Sequence, residues 1–244
     1  MALIPFDNRD GLIWLNGEMV EWRDAKTHTL SHGLHYASLV FEGERAYGGT
    51  IFAGADHTDR LRASSQMLDF DIPYSNEEVD AAKMAVLAAN NISDGYLRAF
   101  CWRGSEMMAI SAQQTKTHVA IAAWEWPSYF DPETKMRGIT LEIAKWKRPS
   151  PESAPVHAKA AGLYMICTLS KHEAEKKGFQ DALMLDYRGY IAEATGANVF
   201  FIDEEGTLHT PIPDCFLNGI TRQTVIRLAE TLQMKVVERH LQPE

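Results

Sequence analysis

The chain has 244 residues, 45% of them hydrophobic and 23% charged, with a formal net charge of −9. That length and balance fit one large or two small globular domains and exclude a disordered chain. An acidic chain lacks the basic face that nucleic acids and anionic membranes require. Its three cysteines, Cys101, Cys167 and Cys215, are far apart in sequence. They form neither a disulfide framework nor a metal-ligand spacing, as expected in a reducing cytoplasm. The first residues, MALIPFDNRDG, show no secretory pattern. No apolar run approaches the roughly 20 residues that span a bilayer.

In chain order, LIWLNGEMVEW places apolar residues on both sides of Asn16-Gly17, a strong two-residue hairpin signal. HGLHYASLVFEGERAYGGTIFAG reads as a loop, a strand, a turn at Gly48-Gly49 and a second strand. ADHTDRLRASSQMLDF has helical spacing at Leu61, Ser65 and Leu68, with Asp56 as the expected N-cap. SNEEVDAAKMAVLAANN is a second helix, with a capping box of Ser75 and Glu78 and an end at Asn90-Asn91. GYLRAFCWRG and THVAIAAWEWP are strands. PSYFDPETKMRG is the expected interdomain linker. ITLEIAKWKRP is a strand, and LYMICTLSKHEAEKKGF is a helix ended by Gly178. DALMLDYRGYIAEATGANVFFIDEEGTLHTP holds strands broken at Arg188-Gly189 and Glu205-Gly206. TRQTVIRLAETLQ is a helix after Gly219, and MKVVERHL is a strand.

This order is not a strict βαβ alternation and predicts two α+β units with antiparallel or mixed sheets. The boundaries fall at 1–126, a linker at 127–137, and 138–244. The dinucleotide fingerprint G-x-G-x-x-G and the P-loop pattern are both absent from the sequence.

Several residues invite a chemical reading. Lys159 lies among Ala158, Ala160, Ala161 and Gly162 at a strand–helix junction. Most lysines are solvated, but desolvation there would lower the lysine pKa and leave an amine able to attack an aldehyde. Glu193, between alanines, is either a turn carboxylate or an acid paired with a protonated ring nitrogen. The backbone N–H groups of Ile220 and Thr221 open a helix after Gly219, an arrangement suited to phosphate. Arg60 is expected in the first turn of its helix, where it opposes the helix dipole. A phosphate contact would explain it, as would an ion pair with Asp56 or Asp59. Arg98 sits inside a strand and calls for a buried partner or a carboxylate ligand. Tyr36, Phe41, Trp102, Trp124 and Trp126 are core aromatics or pocket walls.

Taken together, WLNGEMVEWRDAKTHTLSHGLHYASLVFEG, HTDRL, YLRAF, AKAAGLY, GYIAEATGANVF and NGITRQTVIRLA resemble the branched-chain amino-acid aminotransferases, within the fold-type IV pyridoxal-phosphate enzymes. These stretches cover most of the chain in the family's order. The resemblance implies a small N-terminal α+β domain, a larger cofactor-binding domain, and a homodimer whose partner completes the substrate pocket. It implies pyridoxal 5′-phosphate held as a Schiff base on Lys159, the catalytic residue, with Tyr164 on the phenolic oxygen and Glu193 on the pyridine nitrogen. Arg60, Ile220 and Thr221 would clamp the phosphate. Phe41 and Trp126 would wall the side-chain pocket, and Tyr36 and Arg98 would meet substrate carboxylates. No metal is implied.

Trp102, Arg103 and Glu106 depart from the family pattern at positions expected to bear on side-chain preference. Family members also continue past VVERHLQPE into a G-T-x-A-E-like turn that binds phosphate. A chain ending at Glu244 is expected to retain cofactor weakly and turn over poorly. The implied reaction moves an amine from leucine, isoleucine or valine to 2-oxoglutarate. Alternatives in the same fold are a D-amino-acid or (R)-amine transaminase and an aminodeoxychorismate-lyase-like enzyme. A dimerising fold without turnover is a further alternative.

Overall fold

The computed structural model describes residues 4–126 and 131–243. The first four residues of the expected linker and the first three of the chain lie outside the described residues, as does Glu244. The chain divides into two compact units: Met1–Ser128 with Ala158–Gly162, and Tyr129–His157 with Leu163–Glu244. The expected 138–244 block is therefore interrupted, because the segment bearing Lys159 belongs to the first unit. That unit is also the longer of the two in this chain.

In the first unit, β1 (Leu12–Leu15) and β2 (Glu18–Glu21) form the Asn16-Gly17 hairpin. Both turn residues have positive φ, 52° and 102°, as a tight hairpin demands. HGLHY is not a loop but the short helix α1 (His32–Tyr36). Non-local bonds hold it: the His32 N–H donates to Gly104 O, and the His32 ring bonds Ser38 Oγ and Ala109 O. β3 (Leu39–Phe41), β4 (Glu44–Tyr47) and β5 (Thr50–Ile51) follow, then α2 (Gly54–Met67) and α3 (Asn76–Ala89). The N-cap of α2 is Ala53, not Asp56, which falls within the first turn. The Ser75–Glu78 capping box forms as expected. β6 (Gly95–Arg103) and β7 (Thr117–Trp124) complete a sheet of order β2-β1-β7-β6-β4-β5, with β3 also paired to β6.

Period-two alternation gives this sheet two different faces. Leu97, Ala99 and Cys101 of β6, with Val119 and Ile121 of β7, have no exposed surface. They share the core with Leu61 of α2 and Val79 and Val86 of α3. Tyr96, Arg98, Phe100 and Trp102 point to the other face, beside Leu39 and Phe41 of the paired β3.

In the second unit, α4 (Pro132–Arg137) turns most of the remaining expected linker into a helix, with Asp131 as its N-cap. β8 is only Leu141–Ile143, shorter than the sequence alternation suggests. α5 (Met165–Lys176), β9 (Asp181–Leu185) and β10 (Ile191–Ala194) follow. Gly178 has φ 89°, the left-handed conformation expected after a helix end. β9 pairs antiparallel with β10 and parallel with β8, so the sheet is mixed. Its core joins Cys167 and Ala174 of α5 to Ala182 and Met184 of β9. A second mixed sheet holds β11 (Phe201–Ile202), β12 (Leu208–Thr210) and β13 (Val236–Glu238), with α6 (Ile220–Thr231) before the last strand. The architecture is α+β, as expected. Among the described residues no helix is long and apolar enough to cross a membrane.

Candidate active site

Lys159 is fixed through its backbone. Its N–H donates to Ser64 Oγ of α2 at 2.9 Å, and its carbonyl accepts the Phe41 N–H of β3 at 3.1 Å. Its neighbours Ala158 and Ala160 are buried, and Ala160 bridges to Val40. The Lys159 amine lies 4.9 Å from the centroid of the Phe41 ring, and the Arg98 guanidinium lies 4.6 Å from the same ring. Arg98 also donates to the Tyr96 hydroxyl at 2.8 Å, and Tyr96 packs against Trp126 at 5.5 Å. Lys159, Phe41, Arg98 and Trp126 are thus joined in one run through Tyr96, which sequence reasoning did not single out. Gly43 makes this possible: a Cβ there would collide with the Tyr96 hydroxyl. Arg98 Nε is buried with no hydrogen-bond partner, and Arg98 has no carboxylate partner among the described residues.

Tyr36 is not part of this run. It ends α1, is 44% exposed, and makes its ring contact with His32 at 4.6 Å. Trp102, further along β6, lines an apolar groove of about 230 Å³ with Leu39, Phe100, Ala120 and Ala122. Arg103 and Glu106 order the loop between β6 and β7. Arg103 donates to Ala112 O, and Glu106 accepts the Lys116 N–H.

Arg60 stands in the second turn of α2, not the first, so its relation to the helix dipole is weaker than expected. Its partner is neither Asp56 nor Asp59. Nε and Nη2 form a fork on the two oxygens of Glu42 at 2.7 and 2.6 Å, and His57 Nδ1 reaches the same carboxylate at 2.6 Å. Burial alone would push the Glu42 carboxyl up. The hydrogen bonds and charges of Arg60 and His57 outweigh it and hold the pKa down to about 2. No local signal in the sequence joins Glu42 to Arg60, because strand–helix packing brings them together.

In the second unit, a register shift between Ile191 and Glu193 re-aims Glu193 within β10. Its carboxylate lies 3.4 Å from the Arg148 guanidinium, an ion-pair distance, and 3.3 Å from the amide of Asn198. Arg148 is 3% exposed and also donates to Leu163 O at 3.2 Å. Tyr164 packs on the core beside Ala144 and Cys167, at the start of α5. Ile220 and Thr221 open α6, whose N-cap Gly219 provides no side-chain cap. Asn198 also donates to Leu217 O and lies so close to Gly219 that a Cβ there would collide with its Oδ1. The open backbone donors at this helix start suit an anion. Arg148 was not foreseen, since its partner is distant in sequence; Asn198, only five residues from Glu193, was not singled out either.

Cys215, which the sequence spacing left ungrouped, lies with Asp186 and Asp214. Arg188 donates to both carboxylates, and burial pushes the Cys215 thiol up to about 12. One guanidinium thus already engages both carboxylates of the cluster.

Residues 39–244 match the family model for amino-transferase class IV. The chain is 43% identical to a probable branched-chain-amino-acid aminotransferase of Rickettsia felis, over 100% of this chain and 82% of that protein. The crystal structure of the Escherichia coli branched-chain amino acid aminotransferase superposes with a TM-score of 0.93 at 37% identity, covering 97% of this chain and 79% of that one. A branched-chain amino acid aminotransferase from T.th., complexed with N-(5′-phosphopyridoxyl)-L-glutamate, gives a TM-score of 0.88 at 35% identity, over 96% of this chain and 77% of that one. The chain belongs to the class IV aminotransferases, and its fold is the fold-type IV fold expected from the sequence.

Proposed function

We propose that the protein transfers the amino group of leucine, isoleucine or valine to 2-oxoglutarate, with pyridoxal 5′-phosphate bound at Lys159. The observation that carries this reading is the shared ring of Phe41, with the Lys159 amine and the Arg98 guanidinium against it at 4.9 and 4.6 Å. An amine for the cofactor and a cation for a carboxylate therefore meet at one apolar wall. Each unit, taken by itself, offers groups suited to the cofactor. Arg60 keeps N–H donors beyond its fork on Glu42, and the first N–H groups of α6 have no side-chain cap. When bound, pyridoxal phosphate supplies an aldehyde for the lysine and a ring that takes up electron density from the substrate Cα.

The protein's own groups do the rest. The Lys159 amine, held by Ser64 and Phe41, carries the proton to and from Cα. Glu193, at ion-pair distance from Arg148, would pair with the ring nitrogen, and Tyr164 would donate to the phenolic oxygen. Phe41 and Trp126 receive the branched side chain, while Arg98, whose Nε lacks a partner, receives the distal carboxylate of 2-oxoglutarate. The relative bound to a phosphopyridoxyl-glutamate supports both the cofactor and the acidic substrate. The apolar groove beside Trp102, with Leu34 62% exposed at its rim, is covered by a second copy of the chain, and Tyr36 contributes from that partner. Its free thiols suit the cytoplasm.

Borohydride reduction in the presence of pyridoxal phosphate, followed by peptide mapping, tests the site. The label is expected on Lys159, and a label on another lysine overturns the reading. L-leucine with 2-oxoglutarate should then yield glutamate, whereas turnover of D-alanine alone would favour the D-amino-acid transaminase.

A further inference from the structure

Glu42 and Glu44 are two buried carboxylates on the helix-covered face of the sheet, and their partners differ in kind. Glu44 pairs with Lys83 at 2.9 Å, and both side chains are wholly buried. Lys83 turns its remaining donors inward, to Gly54 O and Thr58 Oγ1. Glu42 instead meets the planar fork of Arg60, whose side chain stays 16% exposed. A guanidinium has five N–H donors, and the bonds from Nε and Nη2 to Glu42 engage two of them. Three remain, two on Nη1 and one on Nη2. One from each Nη forms the free Nη1–Nη2 edge, which can take a second anion with a similar fork geometry. A cation reaches Glu44 without such a fork, and there burial still pushes the carboxyl up.

We infer that Glu42, braced by His57, is a positioning residue that fixes the Arg60 guanidinium so that its free edge binds the cofactor phosphate. The inference rests on the proposed pyridoxal-phosphate reading. Glu42 is itself anchored, because its N–H donates to Ala99 O of β6 at 2.7 Å. His57 bonds the oxygen that accepts Arg60 Nη2, so the carboxylate plane is set from two sides. The carboxyl stays ionised throughout the neutral range, and the fork does not open with pH. Without it, the long Arg60 side chain samples other rotamers, and a buried guanidinium edge loses its acceptor.

The test compares pyridoxal phosphate with pyridoxal, the same aldehyde lacking the phosphate. Dissociation constants for both are read by absorbance on reconstituting the full chain and its Glu42→Gln variant. The variant is expected to bind pyridoxal phosphate about tenfold to a hundredfold more weakly, with pyridoxal changed less than about twofold. Equal losses for the two ligands, or no loss for either, overturn the inference. If Glu42→Gln shows no cooperative melt, Glu42→Asp carries the same measurement, since it keeps the charge but withdraws it from the fork. As a second readout, the Glu42→Gln effect should vanish when Arg60 is already lysine, which cannot present two edges; an undiminished effect overturns the inference. Borohydride labelling separates the two failures. A label away from Lys159 defeats the proposed function, whereas a Lys159 label with unchanged phosphate selectivity in Glu42→Gln defeats only this inference.

Discussion

The two faces of the first unit's sheet use the same strands to opposite ends. Toward the helices, Leu97, Ala99 and Cys101 are fully buried, and each of the two glutamates on that side is matched by a cation from a helix. On the other side, Tyr96, Arg98 and Phe41 stand near Lys159, and Arg98 has an aromatic neighbour and a buried Nε but no acid among the described residues. Residues one apart in β6 therefore face either a filled apolar core or an aromatic wall with an unpaired guanidinium edge. The covered face sets a cation against each of these glutamates and gains stability from apolar burial. The open face leaves Arg98 without an acid among the described residues, and under the proposed function its substitutions should change activity with little effect on stability.

The strongest break in that contrast is Lys159→Ala. Rates of amino transfer from L-leucine should fall at least about 10³-fold, since the proposed proton carrier and the proposed attachment point vanish together. Its denaturation midpoint should stay near that of the parent chain. A parallel loss of stability would make Lys159 a structural residue. On the covered face, Lys83→Met leaves Glu44 buried without its cation and should cost about 3–5 kcal/mol in urea unfolding. Replacing Glu44 by Leu as well should recover most of that. A single variant with unchanged stability would mean that Glu44 finds water or another donor.

Local signals were legible in the sequence wherever the physics is local. Asn16-Gly17 fixes its hairpin through backbone φ, and Ser75 with Glu78 fixes the start of α3 through two reciprocal hydrogen bonds. The alternation of β6 was also visible, including the odd placement of Arg98. What the sequence concealed depends on distant partners. α1 was read as a loop because His32 is held by Gly104 and Ala109, more than 70 residues on. Arg60 was given the wrong carboxylates because Glu42 reaches it only when β3 packs on α2. Arg148 beside Glu193 was missed for the same reason. The grouping of Lys159 with Phe41, Arg98 and Trp126 came only from the family resemblance, since nothing in their spacing links them.

Acid sharpens the difference within the covered face. The Glu42 pKa of about 2 lies below its value in the unfolded chain, so its stabilisation is present above about pH 4.5 and is lost as pH falls toward 2. That contribution is on the order of 3 kcal/mol at neutral pH. The stability gap between the parent and Glu42→Gln should therefore close as pH drops through that window in denaturant titrations. Glu44 has the opposite sign, since burial pushes its carboxyl up. Its protonation favours the folded state as pH falls toward the ordinary carboxylate range. A gap for Glu42→Gln that stays constant down to pH 2 would mean that the fork contributes no ionic stability.

Arg98→Ala should give the smallest effect and the most selective one. A hydrogen-bonded charge contact to a substrate carboxylate is worth about 1.5–3 kcal/mol, or roughly tenfold to 150-fold in kcat/KM. The loss should fall on 2-oxoglutarate, whose distal carboxylate is the proposed partner of the cation. Leucine, which ends in methyl groups at that position, should be affected far less. Stability should change little, because Arg98 gives up one hydrogen bond to Tyr96 and its stacking on Phe41 but no ion pair. Equal losses with both substrates would move Arg98 from the distal carboxylate to the α-carboxylate that every substrate shares. No loss with either would leave the open face without its proposed cation.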